Sequence, residues 1–200
     1  MLESSLKSLH RMLSSTMAAS SEPDPQPGLT ATLDQQRMAT LARWTARTLA
    51  TPHPVPFAAE IVRSANGQRL MRALNAVARQ NDPSAHAELR TVRRACRKLG
   101  SYSLRGYTLY STCEPCPMCM ANALWAGLDR VVYGATIADA NRFCRQIRIP
   151  ATEIAERSDM STTVVIGPVC RDECLALFTH PKMQQAFKTW STAREVPAAT

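Results

Sequence analysis

Residues 107–135 constrain the fold more than any other part of the chain. Segment 107–112 reads as a strand, 115–126 as a helix and 130–135 as a second strand. A strand, helix and strand in that order over about thirty residues form a βαβ unit. Its two strands must be parallel and its crossover right-handed, because a twisted strand feeding a right-handed helix packs back onto the sheet only that way. The class is therefore α/β.

The remaining segments extend that unit. Segments 57–62 and 69–77 flank the turn pair Asn66-Gly67 and read as an antiparallel hairpin that opens the sheet. Segment 162–166 adds another strand, and 173–178 and 182–190 read as closing helices, with Met183, Ala186, Phe187 and Trp190 spaced as a buried face. Upstream, Asp34 is placed to cap a helix whose stripe is Met38, Leu41, Ala42, Thr45 and Leu49, and Pro52, Pro54 and Pro56 forbid its continuation. The folded domain is thus expected over 33–192, with 193–200 a short tail. Residues 1–32, rich in Ser, Pro and Ala with Lys7 and Arg11, read as a disordered segment, and organelle targeting is the second reading.

Composition narrows the setting. A chain of 200 residues with 45% apolar content can bury one sizeable core. No stretch approaches the roughly 20 apolar residues of a membrane-spanning helix, so no membrane partner is expected. Seven cysteines, odd in number and irregularly spaced, argue against a disulfide scaffold and for a reducing compartment, the cytoplasm. The formal charge of +8 is concentrated in part on the helix at 85–99, where Ala85, Leu89, Val92, Cys96 and Leu99 form the apolar stripe. Arg90, Arg93, Arg94, Arg97 and Lys98 fall opposite and read as a solvated face.

Two helix starts carry chemistry. His86-Ala87-Glu88 opens the basic-backed helix, and Pro115-Cys116-Pro117-Met118-Cys119 opens the helix of the βαβ unit thirty positions after the histidine. Cys116 and Cys119 are three residues apart, hence neighbours on one helical face, as two ligands of a tetrahedral ion must be. The positive end of the helix dipole favours their thiolate form. With His86 they make three protein ligands for zinc, leaving a fourth position for the water of a catalytic site. Zinc lowers the pKa of such a water to about 7, and Glu88 is the candidate to carry protons beside it. A bare Cys-x-x-Cys is also found in structural zinc and redox sites, and Cys113 extends the run toward an iron–sulfur spacing, but neither accounts for a glutamate two residues after a histidine. Cys113 reads as a strand-end packing residue, and Cys170 and Cys174 as small apolar ones.

His-x-Glu followed by Pro-Cys-x-x-Cys is the pattern of zinc deaminases acting on bases. Around it, Asp-Pro-Ser-Ala-His-Ala-Glu-Leu and Cys-Glu-Pro-Cys-Pro-Met-Cys resemble the cytidine and deoxycytidylate deaminase superfamily, nearest its guanine deaminases and tRNA adenosine deaminases. The resemblance is strongest over 82–126 and extends more weakly over 56–190. It implies a three-layer α/β/α sandwich with a five-stranded mixed sheet, a homodimer, and zinc at the start of two adjacent helices. It also implies that Asn75 hydrogen-bonds the base, that Phe57 walls the pocket, that the backbone at Ala87 faces the substrate, and that Trp125 lies near it.

The expected activity is hydrolytic deamination of a nucleobase or nucleoside, a purine in first place. Adenosine in tRNA, and cytosine or another aminated heterocycle, are the alternatives. Guanine deaminases of this type carry an acidic Gly-Phe-Asp-Asp-like stretch where this chain has Ala140-Asn141-Arg142-Phe143-Cys144-Arg145-Gln146-Ile147, and Ala58 replaces their usual glycine. After Trp190 the only cation is Arg194, unlike the basic terminal helix common in tRNA adenosine deaminases. Arg142, Arg145 and Arg148 remain as phosphate contacts or as partners of a base carbonyl.

Overall fold

The computed structural model describes residues 27–159 and 162–192. The N-terminal segment read as disordered lies mostly outside the described residues, and the tail wholly so. In chain order the elements are helix α1 (Pro27–Ala46), a 3₁₀ turn (Arg47–Ala50), β1 (Ala58–Arg63), β2 (Arg69–Leu74), α2 (Val77–Gln80), α3 (Ala87–Leu99), β3 (Tyr107–Cys113), α4 (Pro117–Trp125), β4 (Arg130–Ala135), α5 (Ile137–Asn141), α6 (Ala151–Glu156), β5 (Val164–Ile166), α7 (Arg171–Thr179) and α8 (Pro181–Thr192).

The strands form one five-stranded sheet in the order β2-β1-β3-β4-β5. β1 pairs antiparallel with both β2 and β3, whereas β3, β4 and β5 run parallel, so the sheet is mixed. The parallel pair β3 and β4 joined through α4 is the βαβ unit expected from the sequence. Side chains alternate across the sheet with the period of two that a strand imposes. Ala58, Val62, Tyr110 and Val132 pack with Met38, Leu41, Phe178 and Phe187 on the α1, α7 and α8 side. Ala59, Ile61, Leu109 and Val131 pack with Val92, Ala95, Met120 and Ala123 on the α3 and α4 side. Two helical layers around a central sheet give the α/β/α sandwich, and among the described residues no helix is long and apolar enough to cross a membrane.

Three local expectations need correction. Asp34 does not cap α1, which begins at Pro27 and so straddles position 33. Asp34 is buried inside the helix and accepts from Tyr110 Oη at 2.5 Å and from both terminal nitrogens of Arg130. It ties α1 to the sheet from within. The second strand ends at Leu74 rather than at 77, and the chain turns through Asn75 and Ala76 into the short helix α2. Arg90 leaves the solvated face as well: it is buried and its Nη1 donates to the Leu74 carbonyl, whereas Arg93, Arg94, Arg97 and Lys98 are exposed as expected. Cys113 is buried in the core at the end of β3, and Cys174 is buried beneath β4. Gly134 is required there, since a Cβ at that position would collide with Cys174.

Candidate metal centre

The edge of the sheet where β3 ends brings together segments far apart in sequence. Because β1 is antiparallel to β3, the start of β1 lies beside the end of β3, and the Thr112 hydroxyl locks this arrangement. It donates to Pro56 O at 2.7 Å and accepts from the Ala58 amide at 3.0 Å. Phe57 is thereby held at that edge. The Asn75 amide donates to Phe57 O at 3.0 Å, and the Ala76 amide donates to Ala85 O at 2.9 Å, which carries the chain from β2 to the start of α3. Thr91 Oγ1 lies one turn into α3 and donates to Ala87 O at 2.7 Å, within reach also of Ala59 O at 3.2 Å. The first turn of α3 is therefore pinned to β1.

His86 is the N-cap residue of α3 and Cys116 that of α4, both with extended backbone, and Pro117 follows Cys116 where its missing N–H costs nothing. His86 Nδ1 lies 3.6 Å from Cys116 Sγ and 3.5 Å from Cys119 Sγ. A tetrahedral zinc ion with ordinary bond lengths to nitrogen and sulfur separates those atoms by about 3.5 Å. All three donor atoms fall within 4.8 Å of one another. Two sulfurs and one imidazole nitrogen suit zinc over the hard cations. Among the described residues this is the one His, Cys and carboxylate grouping of such tightness, and neither Cys113 nor the Cys170 and Cys174 pair belongs to it.

Electrostatics agree with the geometry. A hydrogen bond from the Cys119 thiol and another from the His86 ring, against the cost of burial, bring the Cys116 thiol down to about 4. Cys119, as the donor in that pair and itself buried, is held well above the ordinary thiol range. Cys116 is thus the sulfur more easily ionised, and a divalent cation held there would take the place of the shared proton as the partner of both. Glu88 is the second residue of α3 and 5% exposed. Burial raises its carboxyl to about 7, with the Cys116 charge adding to the rise, while His86 and a hydrogen bond from Ser111 oppose it. A carboxyl that exchanges its proton near neutrality beside a metal-ligand cluster is suited to acid and base work in one cycle.

The residues expected around the substrate are brought in unequally. Ala87 is fully buried in the first turn of α3, between His86 and Glu88. Asn75 presents a buried Oδ1 that has no hydrogen-bond partner. A buried amide oxygen of this kind costs free energy unless a ligand satisfies it, which suits a group that waits for a base. Asn75→Ala is accordingly expected to lose about 1–3 kcal/mol of substrate stabilisation while zinc stays at full occupancy, read from kcat/KM and metal analysis. Phe57 is half-buried and meets Phe178 edge-on at 5.2 Å between ring centroids, so it belongs as much to the core as to the rim. Trp125 is 72% exposed at the last residue of α4, about 14 Å along the helix from Cys116 at 1.5 Å per residue.

Sequence reasoning also passed over Ser111 and Glu114. Ser111 is buried on β3 and hydrogen-bonds Glu88. Glu114, inside the cysteine loop, accepts from the amides of Ile137 and Ala151, each at 2.9 Å. A polar residue interrupting a strand end next to a metal motif was the available signal for both. Asp139, near in sequence to the missing acidic stretch, is occupied by capping α5 and by Arg171 at 2.6 Å.

Comparisons with known proteins point the same way. The chain is 45% identical over 85 residues to the guanine deaminase of Bacillus subtilis, a stretch covering 42% of this chain and 53% of that protein. It is 41% identical over 81 residues to the tRNA-specific adenosine deaminase of the same organism, covering 40% and 49%. The chain thus spans about half the length of the curated relatives it matches. Among solved structures, a chain from a study of A-to-I editing by tRNA:A34 deaminases superimposes with a TM-score of 0.59 at 28% identity, over 71% of this chain and 99% of that one. The guanine deaminase from Nitrosomonas europaea shares the fold, with a TM-score of 0.62 at 19% identity over 87% and 100%. The cytidine and deoxycytidylate deaminase zinc-binding region matches residues 32–135, just over half the chain and all of the segment that builds the cluster of His86, Cys116 and Cys119, and the chain belongs to that family.

Proposed function

We propose that this protein is a zinc-dependent hydrolase that deaminates a free purine base or its nucleoside. The observation that carries the reading is the spacing of His86 Nδ1 and the Cys116 and Cys119 sulfurs as three zinc ligands, with the buried carboxyl of Glu88 two residues after the histidine. Zinc held there supplies the Lewis acidity that makes water a nucleophile near neutral pH. Glu88 accepts the proton of that water and passes protons to the ring nitrogen and to the departing amine. The oxygen bonds to the carbon bearing the amino group, the carbon–nitrogen bond breaks, and ammonia leaves. Asn75 orients the base edge, the backbone at Ala87 meets it, and Phe57 lies at the rim. A homodimer, as its family resemblance implies, is the assembly we assign.

The purine preference rests on the 45% identity to a guanine deaminase and on the half-buried rather than open setting of Asn75 and Phe57. Adenosine in tRNA is the second reading. It is favoured by the 41% identity to a tRNA-specific adenosine deaminase and by exposed Arg93, Arg94, Arg97 and Lys98 on α3. Ammonia release from guanine, guanosine, adenine, adenosine, cytosine and transfer RNA, with products separated by chromatography, decides between them. A free purine or nucleoside is expected to react first, with little dependence on salt. Inosine formed in tRNA while the free bases stay untouched, with activity falling steeply as salt rises, would reverse the order.

A further inference from the structure

Glu114 stands between two chain segments that the catalytic groups alone do not connect. It is 7% exposed and sits in the loop from Cys113 to Cys116 that delivers the first zinc-ligand cysteine. Its Oε2 accepts from the Ile137 amide and its Oε1 from the Ala151 amide, each at 2.9 Å, and its own amide donates to Ala135 O at 2.7 Å. Ile137 and Ala151 are the first residues of α5 and α6, whose amides have no partner within their own helices. α6 follows Pro150, which offers no side-chain cap. One carboxylate therefore closes both ends of the 137–151 segment onto the cysteine loop, and bonds to an ionised acceptor are the stronger kind.

The segment is held from its middle as well. Phe143 packs against Phe178 and Phe187, each at 6.1 Å between centroids, and Phe178 meets Phe57. α6 packs on α4, the helix that carries both cysteines. Arg145, Ile147 and Arg148 are exposed between these anchors. Glu114 ties both ends of the segment to the cysteine loop, and Phe143 packs its middle into the core.

We propose that Glu114 is a positioning residue that fixes segment 137–151 against the zinc loop as a wall of the substrate pocket, so that its loss weakens substrate engagement while leaving the metal in place. The pocket rests on the deaminase reading, but the clamp does not. The test uses full-length Glu114→Gln, which keeps one acceptor oxygen and the side-chain shape, and Glu114→Ala, which keeps neither. Zinc content, amide hydrogen exchange at Ile137 and Ala151, and KM with kcat on the best substrate are read for each. One zinc per chain is expected in both variants. Exchange at the two amides should quicken by at least about tenfold in the alanine variant and by less in the glutamine variant. KM should rise about tenfold with alanine and less with glutamine, while kcat changes less than about threefold. Unchanged exchange in Glu114→Ala, or altered exchange with unchanged KM, overturns the proposal, as does loss of zinc from Glu114→Gln. Should the alanine variant fail to fold, the glutamine variant decides by the same criteria. Absence of turnover in the unaltered protein counts instead against the deaminase reading, because the exchange measurement needs no substrate.

Discussion

Glu88→Gln protein is expected to bind one zinc per chain and to lose at least about 10²-fold in turnover, because an amide of the same shape cannot carry a proton between water and base. The metal should stay because the ligand atoms are His86 Nδ1 and the sulfurs of Cys116 and Cys119, and Glu88 is not among them. The loss should fall on kcat, since the proton transfers occur after the base is seated. Substrate affinity should change little, because the amide keeps the size of the carboxyl and one of its acceptor oxygens, and a neutral group costs less to bury than a charged one. Metal analysis and steady-state kinetics on the same preparation check this. Turnover near that of the unaltered protein removes Glu88 from the mechanism.

Cys119→Ser is expected to have the other large effect, loss of the metal. Cys119 is 1% exposed, so the replacing hydroxyl stays inside the cluster and offers a donor that zinc prefers far less than a thiolate. Two ligands remain, and zinc should fall well below one per chain after dialysis against a mild chelator that leaves the unaltered protein loaded. Because a metal that binds only the folded chain adds its binding energy to stability, the unaltered protein should unfold at a higher temperature with zinc present, and the variant should lose most of that increment. Full zinc occupancy in the serine variant contradicts the assigned ligand set.

The parts of this molecule legible in the sequence are those in which neighbouring residues decide the outcome. The βαβ unit follows from local periodicity, and the metal ligands follow from spacing, since His86 and Cys116 each cap a helix and Cys119 lies one turn beyond Cys116. The errors all have distant causes. Asp34 has the chemistry of a cap, yet Tyr110 and Arg130 reach it from 76 and 96 residues away and make a buried ion pair inside the helix. Arg90 belongs to a basic stripe, but the end of β2 brings the Leu74 carbonyl over it. The helices Ile137–Asn141 and Ala151–Glu156 are too short to show a period, and the acceptor that fixes both is Glu114, 23 and 37 residues upstream.

Ammonia release by the purified, zinc-loaded chain, followed before and after chelation and again on readdition of zinc, tests the central assignment most directly. Ammonia is expected from a free purine base or nucleoside, lost with the metal and restored with it. No ammonia from any base, nucleoside or tRNA by a chain holding one zinc at His86, Cys116 and Cys119 would contradict it.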